Sequence, residues 1–341
     1  MAAGGFKEFV AGEVLDEDEI NDFLMQGVLV FAGTAARGSA ITSPVEGQFA
    51  FLKDSDSLTY YSGTAWEELS SEPPKFDFLV IAGGGGGGRD ATGAGGGGGA
   101  GGYRTSVGTS GGSAVAEPAL YMIPGTYTVT VGAGGAADST GSLSQAFSIV
   151  SIGGAYGGNQ DRRQPFGGSG GGADSDGGSG SRTGGAGIPG QGRNGGTAIF
   201  QNSVSPAAGG GGAQNVGVDS ITNVAGNGGA GIASTITGSS VTRAGGGGGG
   251  IITGTVGTGG AGGGGNGSTT GTAGSGTVNT GSGGGGTYNG TAGSGGSGLV
   301  VLKYPDSITL TIGGGLTSST TSAGGFKVTT FTAGTDTITV P

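Results

Sequence analysis

The chain has no histidine and no cysteine in 341 residues. The commonest general base, the commonest metal ligand and the thiol nucleophile are therefore all missing. Without cysteine there can be no disulfide framework. Charged residues are only 11% of the chain, which argues against a charge-driven disordered polymer. Proline is scarce at 10 residues and Gly-X-Y periodicity is absent, which excludes a collagen triple helix. No apolar run approaches the ~20 residues that span a bilayer, and no secretory leader is visible, so a chain made in soluble form is expected.

The scarce charges are unevenly placed. Residues 1–77 hold 14 acidic and 4 basic side chains, and the remainder holds 9 of each, matching the totals of 23 and 13. An acidic head thus precedes a neutral body. Neither offers the basic stripe that a phosphate backbone requires, so nucleic acid is not an expected partner.

What is abundant is glycine, 93 residues, against an ordinary share of about 7%. Pure tracts occur at Gly83–Gly88, Gly95–Gly99, Gly209–Gly212, Gly245–Gly250, Gly262–Gly265 and Gly283–Gly286. Apolar strand-like segments bracket them, notably Phe76–Ala82, Tyr127–Val131 and Leu299–Tyr304. A flexible linker would not need such brackets. Without Cβ atoms, extended threefold segments can approach until each backbone N–H meets a carbonyl of a neighbour. The expected fold is therefore mainly β. A short N-terminal helix and a β-hairpin module should precede an elongated glycine-rich body of polyglycine-II-like helices and short strands.

Four segments follow from composition. Residues 1–27 hold Asp16-Glu17-Asp18-Glu19, a capping-box start for a helix that presents Ile20, Phe23 and Leu24 on one face. Residues 28–72 read as a hairpin module in which Asp54 and Asp56 sit in a polar turn and Trp66 closes a small cluster. Residues 73–305 form the glycine-rich body. Residues 306–341 read as strands at Ile308–Ile312, Phe326–Phe331 and Asp336–Val340.

Chance G-x-G-x-x-G matches are unavoidable here, but no helix or downstream acid accompanies them, and no Gly-Lys-Ser/Thr loop occurs. No cofactor is expected. Asp174-Ser175-Asp176-Gly177 lacks the glutamate that would complete a calcium loop and reads as a surface turn, so no metal is expected. No catalytic residue is singled out, and the chain is not expected to be an enzyme.

Two stretches resemble known proteins. Ala11–Leu15, Asn21–Met25, Gly38–Pro44, Glu46-Gly47, Tyr61–Gly63 and Ala65-Trp66 are similar to the opening of many phage tail and fibre proteins. Phe78–Ala82, Gly99–Thr105, Tyr127–Gly135 and Ser297–Pro305 resemble the glycine-rich domain of phage fibres and adhesins. The resemblance implies a homotrimeric virion fibre, made in the host cytoplasm. Its N-terminal Ile20, Phe23 and Leu24 would attach to tail or baseplate proteins, and its body would bind a host glycan or outer-membrane protein. Loops between tracts are free to vary, and aromatic and Arg side chains are the usual anchors. The receptor candidates are accordingly Tyr156, Arg162, Arg163, Phe166, Tyr288 and Asn289. A purely structural head, neck or tail component is the alternative, and a polysaccharide depolymerase the third reading.

Overall fold

The apolar segments on either side of the glycine tracts become paired strands. The computed structural model describes residues 28–69, 73–159, 166–175, 181–201 and 203–341. The chain divides into two units, Met1–Pro73 and Pro74–Pro341. The predicted helix over Asp16–Leu24 lies outside the described residues.

Unit 1 contains β1 (Leu29–Phe31), α1 (Thr34–Ala40), β2 (Phe49–Leu52), β3 (Ser57–Tyr61) and β4 (Trp66–Glu68). They form a four-stranded sheet in that order, with β1 parallel to β2 and the rest antiparallel. The β2–β3 turn is the predicted polar one, and Asp56 takes a positive φ of 51° there. Trp66 packs on Tyr61 at 5.6 Å and receives the Arg37 guanidinium over its ring at 4.4 Å.

In unit 2 the chain-order strands are β5 (Lys75–Ile81), β6 (Arg89–Asp90), β7 (Tyr103–Thr105), β8 (Thr109–Ser110), β9 (Ala114–Val115), β10 (Leu120–Tyr121) and β11 (Gly125–Val131). Next come β12 (Ser144–Ala146), β13 (Ile149–Ser151), β14 (Ile232–Ser234), β15 (Val241–Arg243) and β16 (Thr287–Tyr288). The last are β17 (Leu299–Pro305), β18 (Thr311–Ile312), β19 (Leu316–Ala323) and β20 (Phe326–Val340). Ten of them make one sheet with a path β10-β5-β17-β20-β11-β12-β13; β7 joins β5, and β18 and β19 join β20.

Side chains alternate across a strand, and here both faces are filled. Phe76, Phe78 and Val80 of β5 lie in one buried cluster with Leu302, Tyr304, Phe331 and Ile338. Leu79 and Ile81 lie in another with Tyr103, Leu299, Val301, Ala100, Ala213 and Ala244. The three alanines belong to the glycine-rich segments, so the sheet's second face closes one end of them. The aromatic stack of Phe76 on Tyr304 at 4.9 Å anchors the first cluster.

The expected elongated body of polyglycine-II-like helices is corrected by this architecture. The described chain is mainly β, with one α-helix, a nearly closed barrel-like sheet and several small sheets, and it is not an elongated fibre of polyglycine-II helices. The physical reason is pairing between strands far apart in sequence. β20 reaches back to β11 and β17, and β17 to β5, so the glycine-rich segments are folded back many times within one unit.

The tracts themselves are neither helix nor strand, and their backbone groups bond to neighbouring tracts. Gly83 and Gly86 donate to Ser142 and Ser139, at 3.0 and 2.9 Å. Gly84 and Gly87 donate to Gly296 and Gly293, at 2.9 and 2.8 Å. Gly85 and Gly88 donate to Gly99 and Gly96, both at 2.9 Å. Residues three apart thus share a neighbour, and one tract serves three. A Cβ on Gly83 through Gly88 would overlap the backbone of a neighbouring segment at every position.

Candidate binding face at the tract ends

The direction of each tract decides which loops meet. Leaving β5, Gly83–Gly88 runs away from the sheet into Arg89-Asp90, and Gly95–Gly102 returns to β7. Gly283–Gly286 likewise leads into Thr287–Thr291, and the chain returns to β17. The loops that turn at the end remote from the sheet include 89–94, 136–139 and 287–291. Backbone and side-chain bonds tie them together. Thr287 donates to Gly88 O at 3.0 Å, and Asn289 to Asp90 O at 3.0 Å. The Arg89 N–H donates to Asp138 Oδ1 at 3.0 Å.

Asp90 organises this face. It is fully buried, and its Oδ1 accepts from Thr92 N at 2.7 Å, Thr92 Oγ1 at 2.8 Å and Gly93 N at 3.0 Å. These bonds fix the turn that sends the chain back toward the sheet. β6 pairs in parallel with β16, which sets Tyr288 opposite Asp90. Asp138 plays a similar part from the third loop, its Oδ1 also accepting from Asn159 Nδ2 at 3.1 Å.

Of the predicted receptor residues, the structure places Tyr288, half-buried, and Asn289, exposed, side by side on this face. Tyr156 sits inside a tract, half-buried between Ala155 and Gly157. Phe166 is 76% exposed but lies at the opposite, sheet-proximal end, because Gly168 donates to Gly153 and Gly158 donates to Gly172. That register makes the two tracts parallel, with Phe166 level with β13. Arg162 and Arg163 fall outside the described residues, as do Ile20, Phe23 and Leu24. Asp174 is no surface turn residue: its side chain is buried and ion-paired to Arg182. Asp90 and Asp138 were not singled out from sequence. The available signal was their position, each standing where a tract ends.

A second concavity opens at the sheet end, an open depression of about 380 Å³ lined by Arg104, Ser110, Val115, Glu117, Pro189 and Gln191. Its charges are already engaged. Arg104 holds Glu117 through Nε at 2.7 Å and Nη2 at 2.5 Å, and Gln191 Oε1 accepts from Ile152 N at 2.8 Å. This depression is a joint between segments rather than an arrangement of free polar groups.

In β7, Tyr103 is fully buried near Ser234 and Arg243. Burial pushes its hydroxyl up to about 12, with Ser234 and Arg243 pulling the other way. Burial also lowers Arg243 from its ordinary value. A tyrosine whose folded pKa is raised contributes stability that is fully present below its unfolded pKa of about 10 and is lost as pH climbs through the folded value. Stability is therefore expected to fall between about pH 10 and 12 by roughly 2–3 kcal/mol from this group. Denaturant titrations of Tyr103→Phe beside the parent check this: the variant loses that alkaline fall.

The fold and its loop face define a body of cross-bonded glycine tracts closed at one end by a β-sheet. The chain belongs to the glycine-rich domain family, whose model matches residues 57–305. No curated protein matches it.

Proposed function

We propose that this protein is a virion adhesin of the tail-fibre type, which binds the host cell surface through the loop face at its tract ends. The observation that carries the reading is the division of labour within unit 2. At Gly83–Gly88 a Cβ would overlap neighbouring backbone, whereas the loops that join the tracts at one end carry Tyr288, Asn289, Arg89 and Thr92 on a mutually bonded platform. A surface of this kind tolerates change in side chains without disturbing what holds it. The N-terminal resemblance to phage tail proteins supports attachment of the chain to a particle through its acidic head. Weak contacts, repeated over several copies on one particle, would combine by avidity.

The test is binding of the purified full chain to cells from a panel of bacterial strains, with a deletion of residues 74–341 as control. The expected result is saturable binding to a subset of strains. It should be lost by the control and weakened about tenfold or more by Tyr288→Ala with Asn289→Ala, which removes about 1.4 kcal/mol or more. Phe166→Ala, at the other end, leaves binding unchanged. Absence of saturable binding to any strain, or an unaffected double variant with unchanged melting, would overturn the proposal.

A further inference from the structure

Asn-Gly pairs occur at four places in the chain: Asn194-Gly195, Asn227-Gly228, Asn266-Gly267 and Asn289-Gly290. Each is the same chemical weak point. The main-chain nitrogen of the glycine can attack the asparagine side chain, because no Cβ on the following residue stands in the way. Asparagine counts among the thermolabile residues. All four asparagines are exposed, so access to solvent does not separate them. Hydrogen bonding does.

Three of the pairs are clamped twice. Gly195 N donates to Gly185 O at 2.9 Å, Gly228 N to Thr258 O at 2.8 Å and Gly267 N to Gly257 O at 2.9 Å. The side chain before each glycine is held as well. Asn194 Oδ1 accepts from Gly187 N at 3.0 Å, Asn227 Oδ1 from Thr258 N at 2.8 Å and Asn266 Oδ1 from Gly259 N at 2.8 Å. Attack there requires the glycine N–H to leave the cross-tract bonding and the asparagine to give up its neighbour. Asn289-Gly290 has neither restraint. Among the described residues, no hydrogen bond involves the Asn289 side chain or the Gly290 N–H. The backbone is tied just before and just after, Asn289 N donating to Asp90 O at 3.0 Å and Thr291 N to Gly271 O at 3.3 Å.

We propose that Asn289 is a site of spontaneous modification, converted through a succinimide to aspartate or isoaspartate while the other three asparagines persist. Hydroxide from solvent takes the Gly290 amide proton, and the nitrogen attacks Asn289 Cγ. The new N–Cγ bond closes the succinimide ring as the Cγ–Nδ2 bond breaks. Nδ2 leaves as ammonia after taking a proton from water, which regenerates the hydroxide. Water then opens the ring at either carbonyl, giving aspartate or its isomer, whose backbone is longer by a methylene. The consequence follows from position. The new carboxylate stands next to Tyr288, which pairs with Asp90 across the parallel strands. Isoaspartate also lengthens the loop that Asn289 N and Thr291 N pin in place. This effect rests on reading the face as the host-binding surface: conversion is expected to weaken binding as the protein ages.

The test holds the full chain in mildly alkaline buffer and follows it over days by peptide mapping with mass spectrometry, which reads amide-to-acid conversion at each asparagine separately. Conversion at Asn289 is expected to outpace that at Asn194, Asn227 and Asn266 by about tenfold or more, since those sites must first open locally. In denaturant the advantage should vanish, because every pair then loses its bonds. Conversion at Asn289 no faster than at the other three in the folded chain would overturn the proposal. So would the same advantage persisting in denaturant, which would trace it to sequence and not to the fold. Cell binding is read separately. Binding of the parent should fall in step with the converted fraction, while an Asn289→Gln chain aged alongside keeps its own starting level. Conversion without loss of binding would uphold the modification site and refute its placement on the binding surface.

Discussion

Ending the chain at Pro305 is expected to abolish cooperative folding of unit 2, although every glycine tract is retained. The truncation removes β20, which pairs along its first half with β17 and along its second with β11, and which carries β18 and β19 on its other side. Phe331, Ile338 and Val340 leave the first buried cluster with it. Their partners Val300, Leu302, Tyr304 and Val129, now fully buried, are left facing solvent along two bare strand edges. Burial of each large apolar side chain contributes about 1.5–3 kcal/mol, and a domain's net stability is about 5–15 kcal/mol. The loss therefore consumes the whole margin, and the bare edges favour aggregation. The measurement is thermal melting by circular dichroism together with limited proteolysis. A sharp transition and a protease-resistant core in the truncated chain would show that the family-matched span folds without β20.

The same strand shows how far the sequence could be read. Its two halves were legible as separate strands, Phe326–Phe331 and Asp336–Val340, because each alternates or is β-branched. Their fusion into one was not, since Gly334 interrupts the pattern. Gly334 takes a φ of 99° where the pairing passes from β17 to β11, a backbone state that glycine adopts at little cost. β19 was missed for another reason. From Thr317 to Ala323 every residue is exposed, so Leu316-Thr-Ser-Ser-Thr-Thr-Ser-Ala carries no inside–outside signal. β5 and β17 were found almost to the residue, because strands buried on both faces read as unbroken apolar runs.

The candidate face was legible only in part. Tyr288 and Asn289 stand out as an aromatic and an amide directly after a glycine tract. Asp90 gains its role from Tyr288 and Asn289 across nearly two hundred residues, a neighbourhood set by tract direction. Simple alternation of direction would put Phe166 at the remote end. The tract after it runs parallel to residues 153–158 instead, and that depends on cross-tract bonds no local pattern specifies.

The second large effect concerns the tracts themselves. Gly85 donates to Gly99 O at 2.9 Å and accepts from Gly284 N at 3.0 Å, and Gly247 donates to Gly98 O at 2.8 Å. A Cβ at Gly85 would overlap the Ala155 carbonyl, and one at Gly247 the Gly284 carbonyl. Those obstacles are backbone held by its own bonds, so they cannot turn aside as a side chain would. Separating the tracts forfeits several hydrogen bonds of about 0.5–1.5 kcal/mol net each and leaves buried N–H groups without partners. Ser239 lies exposed in the turn between β14 and β15, where valine meets no such constraint.

Melting temperatures of Gly85→Val, Gly247→Val and Ser239→Val, measured side by side in the full chain, test the central claim that cross-tract backbone bonding holds this body together. The expected result is a loss of about 4 kcal/mol or more at either glycine, a fall of roughly 10 °C or more, and less than about 0.5 kcal/mol at Ser239. Equal shifts at all three positions would contradict it, because the tracts would then behave as linkers and not as the scaffold of the loop face.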